Sequence, residues 1–246
     1  MNKTLIYSKQ THFAYITLNR PQPDKKSISQ LAGELRDICN DINHDRNVNV
    51  IILTGKGNQF YPGQAPAHGQ PQDTLADAIA GITKPVIAAI NGDALGRGLE
   101  LALACDIRIA ATTVHFGLPQ ITKGYIPSDG GTQRLPRLIG RGKALELILS
   151  GDIIDAEEAL NIGLIHKILP ETNLLPEVEK IAAKMAEKGP FALKYAKEAV
   201  LKGMDLTLEQ GLRLEADLYM LLHTTLDRTE GVQAFQQKRP ARFKGE

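Results

Sequence analysis

The apolar residues in the first half of the chain follow two spacings that alternate along the sequence. Short runs rich in β-branched residues end in turn residues, and they predict buried strands at residues 14–18, 48–55, 85–92 and 106–111. Between the first two runs, apolar residues recur at helical spacing in "SISQLAGELRDICNDINHD", so this segment predicts a helix that Ser27 or Ser29 can cap. The alternation predicts an α/β domain with helices packed against a sheet.

The pattern changes after about Gly140, where the strand spacing gives way to helical spacing. Segments such as "GKALELILSG", "PFALKYAKEAVLKG" and "LTLEQGLRLEADLYMLLHTTL" predict helices, with Gly or Pro between them. We therefore expect a helical region after the α/β core, and a basic tail, "QQKRPARFKGE", on a surface or against a neighbouring subunit.

Composition narrows the class of protein without naming a reaction. The chain has 246 residues and a formal net charge of +1, so nothing in its charge indicates a nucleic-acid or membrane partner. No stretch approaches the roughly 20 apolar residues of a membrane helix. The two cysteines, Cys39 and Cys105, have no metal-binding or redox spacing, and we expect reduced thiols in a cytoplasmic protein.

Several kinds of site are not favoured by the motifs present. Gly55 and Gly57 follow a strand, but no phosphate-binding G-x-x-x-x-G-K-[ST] run and no dinucleotide G-x-G-x-x-G follows any strand. The six histidines are scattered without paired spacing, so we expect no metal site. No G-x-S-x-G nucleophile elbow exists either, and Ser128 fits a turn residue.

Two loops place glycine where backbone N–H groups can meet a ligand. In "FYPGQAPAHG", Gly63 precedes Gln64, and in "NGDALGRGLELALACD", Gly96 and Gly98 flank Arg97 at the start of an apolar helix. Glycine permits close approach to the backbone, and the first N–H groups of a helix have no partner within it. Two such donors that converge form an oxyanion hole for the enolate of a thioester.

The order of these motifs resembles the crotonase family, the enoyl-CoA hydratases and isomerases. "LNRP", "VIILTGKGNQFYPG", "KPVIAAINGDALGRGLELALACDIRIA", "FGLPQITKGYIPSDGGTQRL" and "TEGVQAFQQKRPARFKG" stand in family order over nearly the whole chain. The resemblance implies a spiral of ββα turns in residues 1–190 and a helical oligomerisation region in residues 191–246. It also implies a homotrimer or a dimer of trimers, an acyl-CoA thioester as ligand, and no cofactor beyond the coenzyme A of the substrate.

Carried over by position, the resemblance assigns the oxyanion hole to the backbone N–H groups of Gln64 and Arg97. Glu100 falls on the first catalytic acid of the hydratases. The second acid falls on Gln120, since "FGLPQ" stands where the hydratases read F-G-x-P-E. Arg97 is a further departure, because the family usually has glycine there, and Ala65-Pro66 replaces an Asp followed by an aliphatic residue.

One ionisable group in place of two leaves several functions open. We expect foremost a hydratase or dehydratase acting on a conjugated, cyclic or dienoyl thioester, with Glu100 as its acid–base group and Gln120 holding water by hydrogen bonds. The alternatives are a double-bond isomerase, in which one carboxylate removes and returns a proton, and a non-catalytic acyl-CoA binder. The apolar surroundings of Glu100 predict burial, which is typical of a functional carboxylate.

The remaining candidates are pocket and coenzyme A residues. We expect the substrate pocket to include Gly63, Gly96, Gly98, Tyr125 and Asp129, although Asp129 also fits a cap for a helix at residues 130–135. The resemblance assigns coenzyme A binding to Lys25 and Lys26, and to Phe243 and Lys244 of a neighbouring subunit.

Overall fold

The computed structural model describes residues 4–19, 25–61 and 74–246, and for residues 25–30 it describes the backbone alone. The larger sheet has the strand order β1-β2-β3-β4-β6-β9. Its strands are β1 (Leu5–Lys9), β2 (Phe13–Leu18), β3 (Val50–Gly55), β4 (Val86–Ile90), β6 (Ile107–Ala111) and β9 (Lys167–Leu169). Only the β1–β2 pair is antiparallel, so the carboxyl ends of the other strands lie at one edge of the sheet.

Burial explains why β3 and β4 read as continuous apolar runs in the sequence. Every residue of both strands is buried, as is typical of parallel strands covered on both faces. Helix α7 (Glu171–Ala186) packs against β2, β3, β4 and β6. The predicted α/β class is confirmed.

A second, smaller sheet lies beside the region where the glycine-flanked helix begins. It consists of β5 (Ala94–Leu95), β7 (His115–Gly117) and β8 (Ile153–Asp155), in the order β5-β7-β8. Each strand has three residues or fewer, which is too short for an alternating pattern to predict it.

The helices and their bounds largely follow the predicted segments. In chain order they are α1 (Lys25–His44), α2 (Leu75–Ala80), α3 (Arg97–Leu103), a 3₁₀ helix (Pro119–Lys123), α4 (Gly131–Ile139), α5 (Arg141–Ser150), α6 (Ala156–Asn161), α7, α8 (Pro190–Gly203), α9 (Leu208–Leu222) and α10 (Leu226–Gln236). The predicted caps of α1 are wrong, because the helix begins at Lys25 and both Ser27 and Ser29 lie within it.

The last two helices are separated by a capping residue. Only three residues lie between the end of α9 and the start of α10 at Leu226. The last of them, Thr225, caps α10, because its side chain accepts a hydrogen bond from the N–H of Arg228. Thr207 and Gln210 form a capping box at the start of α9. The predicted division into residues 1–190 and 191–246 stays a prediction, although α8 begins at Pro190.

In the described part of the chain, no helix is long and apolar enough to cross a membrane. Cys39 and Cys105 are both free and buried, and burial raises the pKa of each thiol to about 12.

Candidate active site

The turn into α3 requires a glycine and fixes the position of Glu100. Gly96 has a φ of 55°, a conformation that side chains with a Cβ rarely adopt, and its N–H donates to the carbonyl of Gly117 at 2.9 Å. The Gly96 carbonyl in turn accepts the N–H of Glu100 at 3.0 Å. Every residue of α3 is buried, so this first turn aims Glu100 into the interior.

The carboxylate of Glu100 is fully buried and held on one side by two backbone amides. Its side chain is 0% exposed. Oε1 accepts hydrogen bonds from the N–H of Asp129 at 2.7 Å and from the N–H of Gly131 at 3.0 Å. These bonds fix the carboxylate at the segment that leads into α4.

Gln120 approaches the other carboxylate oxygen. The 3₁₀ helix places its Nε2 at 3.4 Å from Oε2 of Glu100, to which it donates a long hydrogen bond. Its Oε1 is buried and has no hydrogen-bond partner among residues 4–19, 25–61 and 74–246. The pair therefore presents one carboxylate oxygen and one amide oxygen that can act on a third group.

Burial has the largest effect on the pKa of the Glu100 carboxyl group. Burial raises the pKa of its carboxyl group, while the hydrogen bonds from the Gly131 and Asp129 amides oppose that rise. A raised pKa suits a group that must both accept and donate a proton near neutral pH.

Arg97 is the first residue of α3, one turn before Glu100, and its side chain interacts electrostatically with this carboxylate. In the described residues, no hydrogen-bond acceptor takes the Arg97 N–H. The side chain is 7% exposed. Burial raises the pKa of both Glu100 and Asp129, and the positive charge of Arg97 partly opposes that rise through space.

The segment that follows β3 packs closely against the residues that precede α3. The side chain of Asn91 joins the two strand ends, since its Oδ1 accepts the N–H of Gly55 at 3.0 Å and its Nδ2 donates to the carbonyl of Gly55 at 2.9 Å. Further along, Tyr61 forms a parallel bridge with Ala94. A Cβ added to Gly98 would lie 1.9 Å from the carbonyl oxygen of Tyr61, so only glycine permits this approach.

The segment after β3 and the segment before α3 therefore lie side by side. The second predicted oxyanion-hole donor, the N–H of Gln64, lies further along the first of these segments. Gly63 and Gln64 are outside the described residues. Their assigned roles, and that of Gln64 in the oxyanion hole, stay predictions.

Asp129 lies beside Glu100, but its carboxylate serves a different helix from the one expected. It accepts the N–H groups of Leu75 at 3.0 Å and Ala76 at 3.1 Å, which are the first two residues of α2. The expectation that it caps a helix at residues 130–135 is wrong, because its side chain points to α2 and leaves only its backbone at α4. Burial raises the pKa of Asp129 as well.

Tyr125 lies next to this group through its backbone. Its N–H donates to the carbonyl of Gln120 at 3.1 Å, after the left-handed turn at Gly124. Its side chain is half-buried, and its place in an acyl pocket stays a prediction.

The predicted coenzyme A residues lie far apart in the chain. Lys25 and Lys26 begin α1, and their side chains are outside the described structure. The tail folds back on its own chain, where Asp227 accepts the N–H of Lys244 at 2.6 Å and a Cβ on Gly231 would be 3.5 Å from the Phe243 ring. Binding of coenzyme A by any of these residues stays a prediction.

Two contributors to the site carried no recognised signal in the sequence. The Gly131 amide and the Asn91 side chain are fixed by contacts across 31 and 36 residues. The glycine pair in "PSDGG" was a usable signal, because a Cβ at Gly131 would stand 3.0 Å from Oε1 of Glu100. Within the described ranges, no group of three His, Cys, Asp or Glu side chains can hold a metal ion.

Comparison with known proteins decides the family. The family model for enoyl-CoA hydratase/isomerase matches residues 8–246. The chain belongs to the enoyl-CoA hydratase/isomerase family. It is 38% identical to a crotonyl-CoA hydratase of Syntrophomonas wolfei, with 98% of each chain covered. It is also 38% identical to a 2,3-dehydroadipyl-CoA hydratase of Escherichia coli, again with 98% of each covered.

A solved structure supports the same conclusion for the fold. The crystal structure of an enoyl-CoA hydratase from Bacillus anthracis superposes with a TM-score of 0.91 at 40% identity, and covers 99% of this chain and 100% of that one. The crotonase resemblance and the predicted crotonase-like fold are thereby confirmed.

Proposed function

We propose that this member of the family adds water to, and removes water from, a conjugated enoyl-CoA thioester, with Glu100 as its acid–base group. The observation that carries the proposal is the buried Glu100 carboxylate, which has Oε1 held by two amides and Oε2 beside the Gln120 amide. The hydratases of S. wolfei and E. coli share over a third of its sequence, which favours hydration over other reactions of the family.

In the proposed reaction, Gln120 and Glu100 each use one side-chain oxygen for a different task. Oε1 of Gln120 accepts one O–H of a water molecule, and Oε2 of Glu100 takes the proton of the other O–H as the water oxygen bonds to the β-carbon. The electron pair of the double bond moves through the α-carbon to the thioester oxygen. Glu100 then returns its proton to the α-carbon, so that H and OH have been added and the carboxylate is restored.

Charge on the thioester oxygen needs donors that already point toward it. The Arg97 N–H has no other acceptor in the part of the chain that is described, and it lies at the positive end of α3. We assign the second donor to the Gln64 N–H. The close packing of Gly98 on Tyr61, three residues before Gln64, supports the convergence of these loops.

The decisive experiment compares Glu100→Gln with Glu157→Gln, an exposed acid at the start of α6. The first variant is expected to lose at least about a hundredfold of the rate of enoyl-CoA hydration, as the loss of a general acid–base group does, and the second to lose nothing. A near-normal rate for Glu100→Gln overturns the proposal.

Exchange in deuterated water separates hydration from the alternatives. A hydratase incorporates deuterium at the α-carbon together with the hydroxyl group, whereas an isomerase moves the double bond without gaining oxygen. Binding of the thioester with no exchange at all identifies a binder and contradicts catalysis.

The assembly belongs to the same proposal. Helices α8, α9 and α10 expose large apolar side chains, with Leu208 80% and Phe235 86% accessible. Soluble proteins seldom leave such a surface uncovered, so this face supports a homotrimer or a dimer of trimers.

A further inference from the structure

The side chain of Arg97 is a buried cation that has no hydrogen-bond or ion-pair partner in the described part of the chain. It is 7% exposed, its Nε has no hydrogen-bond acceptor, and no ion pair to it is found in the described ranges. A charge removed from water is costly unless it is paired and hydrogen-bonded. A ligand that pairs with Arg97 when it binds would offset this cost and account for the buried arginine.

The two carboxylates that interact electrostatically with Arg97, those of Glu100 and Asp129, make their hydrogen bonds to other donors. Oε1 of Glu100 is occupied by the two backbone amides, and Oε2 receives the Gln120 amide. The oxygens of Asp129 accept the first amides of α2. Both carboxylates interact electrostatically with Arg97, which indicates that the guanidinium lies on their side of the site. Neither carboxylate makes a hydrogen bond to it.

The position of the guanidinium limits which anion can reach it. The phosphates of coenzyme A are separated from the reacting thioester by the length of the pantetheine arm, so they do not reach a side chain beside Glu100 when the thioester is at the site. The thioester oxygen is already assigned to backbone amides. A carboxylate carried by the acyl chain itself can enter with the substrate and match the planar fork of an arginine.

We propose that Arg97 binds a second carboxylate at the far end of the substrate's acyl chain, which makes the preferred substrate the CoA thioester of an unsaturated dicarboxylic acid. This inference rests on the proposed function and specifies its substrate class. It also gives a role to a residue that stands where the family usually has glycine.

The test compares substrates that differ in one terminal group. Glutaconyl-CoA is paired with pent-2-enoyl-CoA, and hex-2-enedioyl-CoA with hex-2-enoyl-CoA, so that a carboxylate replaces a methyl group at equal chain length. The wild-type protein is expected to prefer the acid over its neutral partner at least tenfold in kcat/KM for one of the two lengths. Preference for the neutral thioester at both lengths overturns the inference.

Variants then assign the preference to the guanidinium. In Arg97→Met the ratio of kcat/KM for the acid to that for the neutral thioester is expected to fall at least tenfold, and Arg97→Lys to retain part of it. The matched control is Arg141→Met, an exposed arginine at the start of α5, which leaves the ratio unchanged. An equal loss for both substrates in Arg97→Met contradicts the inference, because it places Arg97 at the shared thioester.

Two further outcomes keep this inference separate from the proposed function. Turnover of the neutral thioesters without preference for the acids sinks the inference and leaves the hydratase proposal standing. Failure to turn over any of the four thioesters sinks both. If Arg97→Met does not fold, calorimetric binding of glutaryl-CoA and pentanoyl-CoA to the wild-type protein decides, since tighter binding of the neutral compound contradicts the inference.

Discussion

Gly131 donates its amide to Oε1 of Glu100 at 3.0 Å, and a Cβ at position 131 would lie 3.0 Å from the same oxygen. The same residue therefore supplies a donor and leaves the space that the carboxylate fills. Pro127 closes the other side, because that Cβ would meet its Cβ at 2.9 Å. Glu100 is positioned by backbone atoms on a segment remote in sequence.

Replacing Gly131 with alanine should displace the Glu100 carboxylate. The new methyl group is too close to Oε1 and to Pro127, so we expect kcat for hydration to fall at least about tenfold, as a misplaced catalytic group does. Steady-state kinetics check this. The control is Gly142→Ala in α5, whose Cβ meets nothing within 4 Å. Normal kcat in Gly131→Ala would show that the contact does not position Glu100.

Replacing Gln120 with glutamate should restore a second ionisable group. Nε2 of Gln120 lies 3.4 Å from Oε2 of Glu100, so a carboxylate at position 120 can bind the reacting water together with Glu100. We expect turnover of crotonyl-CoA to rise at least about tenfold, at the low end of what general acid–base catalysis supplies. Gln120→Met, which can neither ionise nor hold water, should lower it. An unchanged rate in Gln120→Glu contradicts the role given to this position.

Glu100 should also reduce stability at neutral pH. Its folded-state pKa is raised above the ordinary value of 4.5, so the folded protein binds this proton more tightly than the unfolded chain does. The stabilisation from that proton is complete below the ordinary value and is lost as the pH rises through the raised pKa. Glu100→Gln is therefore expected to exceed the wild type in free energy of unfolding at pH 7.

Urea unfolding over a range of pH measures this difference directly. The advantage of Glu100→Gln should shrink as the pH is lowered toward the ordinary value of 4.5. An advantage that is constant with pH, or that grows on acidification, is inconsistent with a burial-raised pKa. Glu157→Gln serves as the exposed control, with no expected dependence on pH.

A charge placed on the exposed apolar face of α8, α9 and α10 should weaken the oligomer. Leu212, on α9, is 55% exposed in the single chain. We expect Leu212→Glu to shift the protein from a trimer or a dimer of trimers toward monomers in sedimentation velocity, because the charge is desolvated at an interface. Leu149→Glu, on α5, is the control. A wild-type protein that sediments as a monomer removes the proposed assembly.

Sequence reasoning reached the parts of this site that follow a local pattern. The apolar runs identify β3 and β4, and the glycines around Arg97 mark the start of α3. Family order then placed Glu100 and Gln120, which meet across 20 residues. These features follow from strand spacing, helix spacing and motif order, all of which can be read along the chain.

The parts that were missed depend on contacts between distant segments. The carboxylate of Asp129 binds the start of α2, across 54 residues, and α2 has only six residues and no clear periodicity. The pairing of β5 with β7 and β8 involves strands too short to alternate. The burial of the Arg97 side chain, without a hydrogen-bond partner among the described residues, likewise depends on distant segments and cannot be read from the sequence.

The most direct test is a crystal structure with a stable acyl-CoA thioester analogue bound. We expect the thioester oxygen to lie about 2.7–3.1 Å from the backbone nitrogens of both Arg97 and Gln64, with Oε2 of Glu100 facing the α- and β-carbons. A thioester oxygen that contacts neither amide, or a Glu100 carboxylate turned away from the acyl chain, would contradict this expectation.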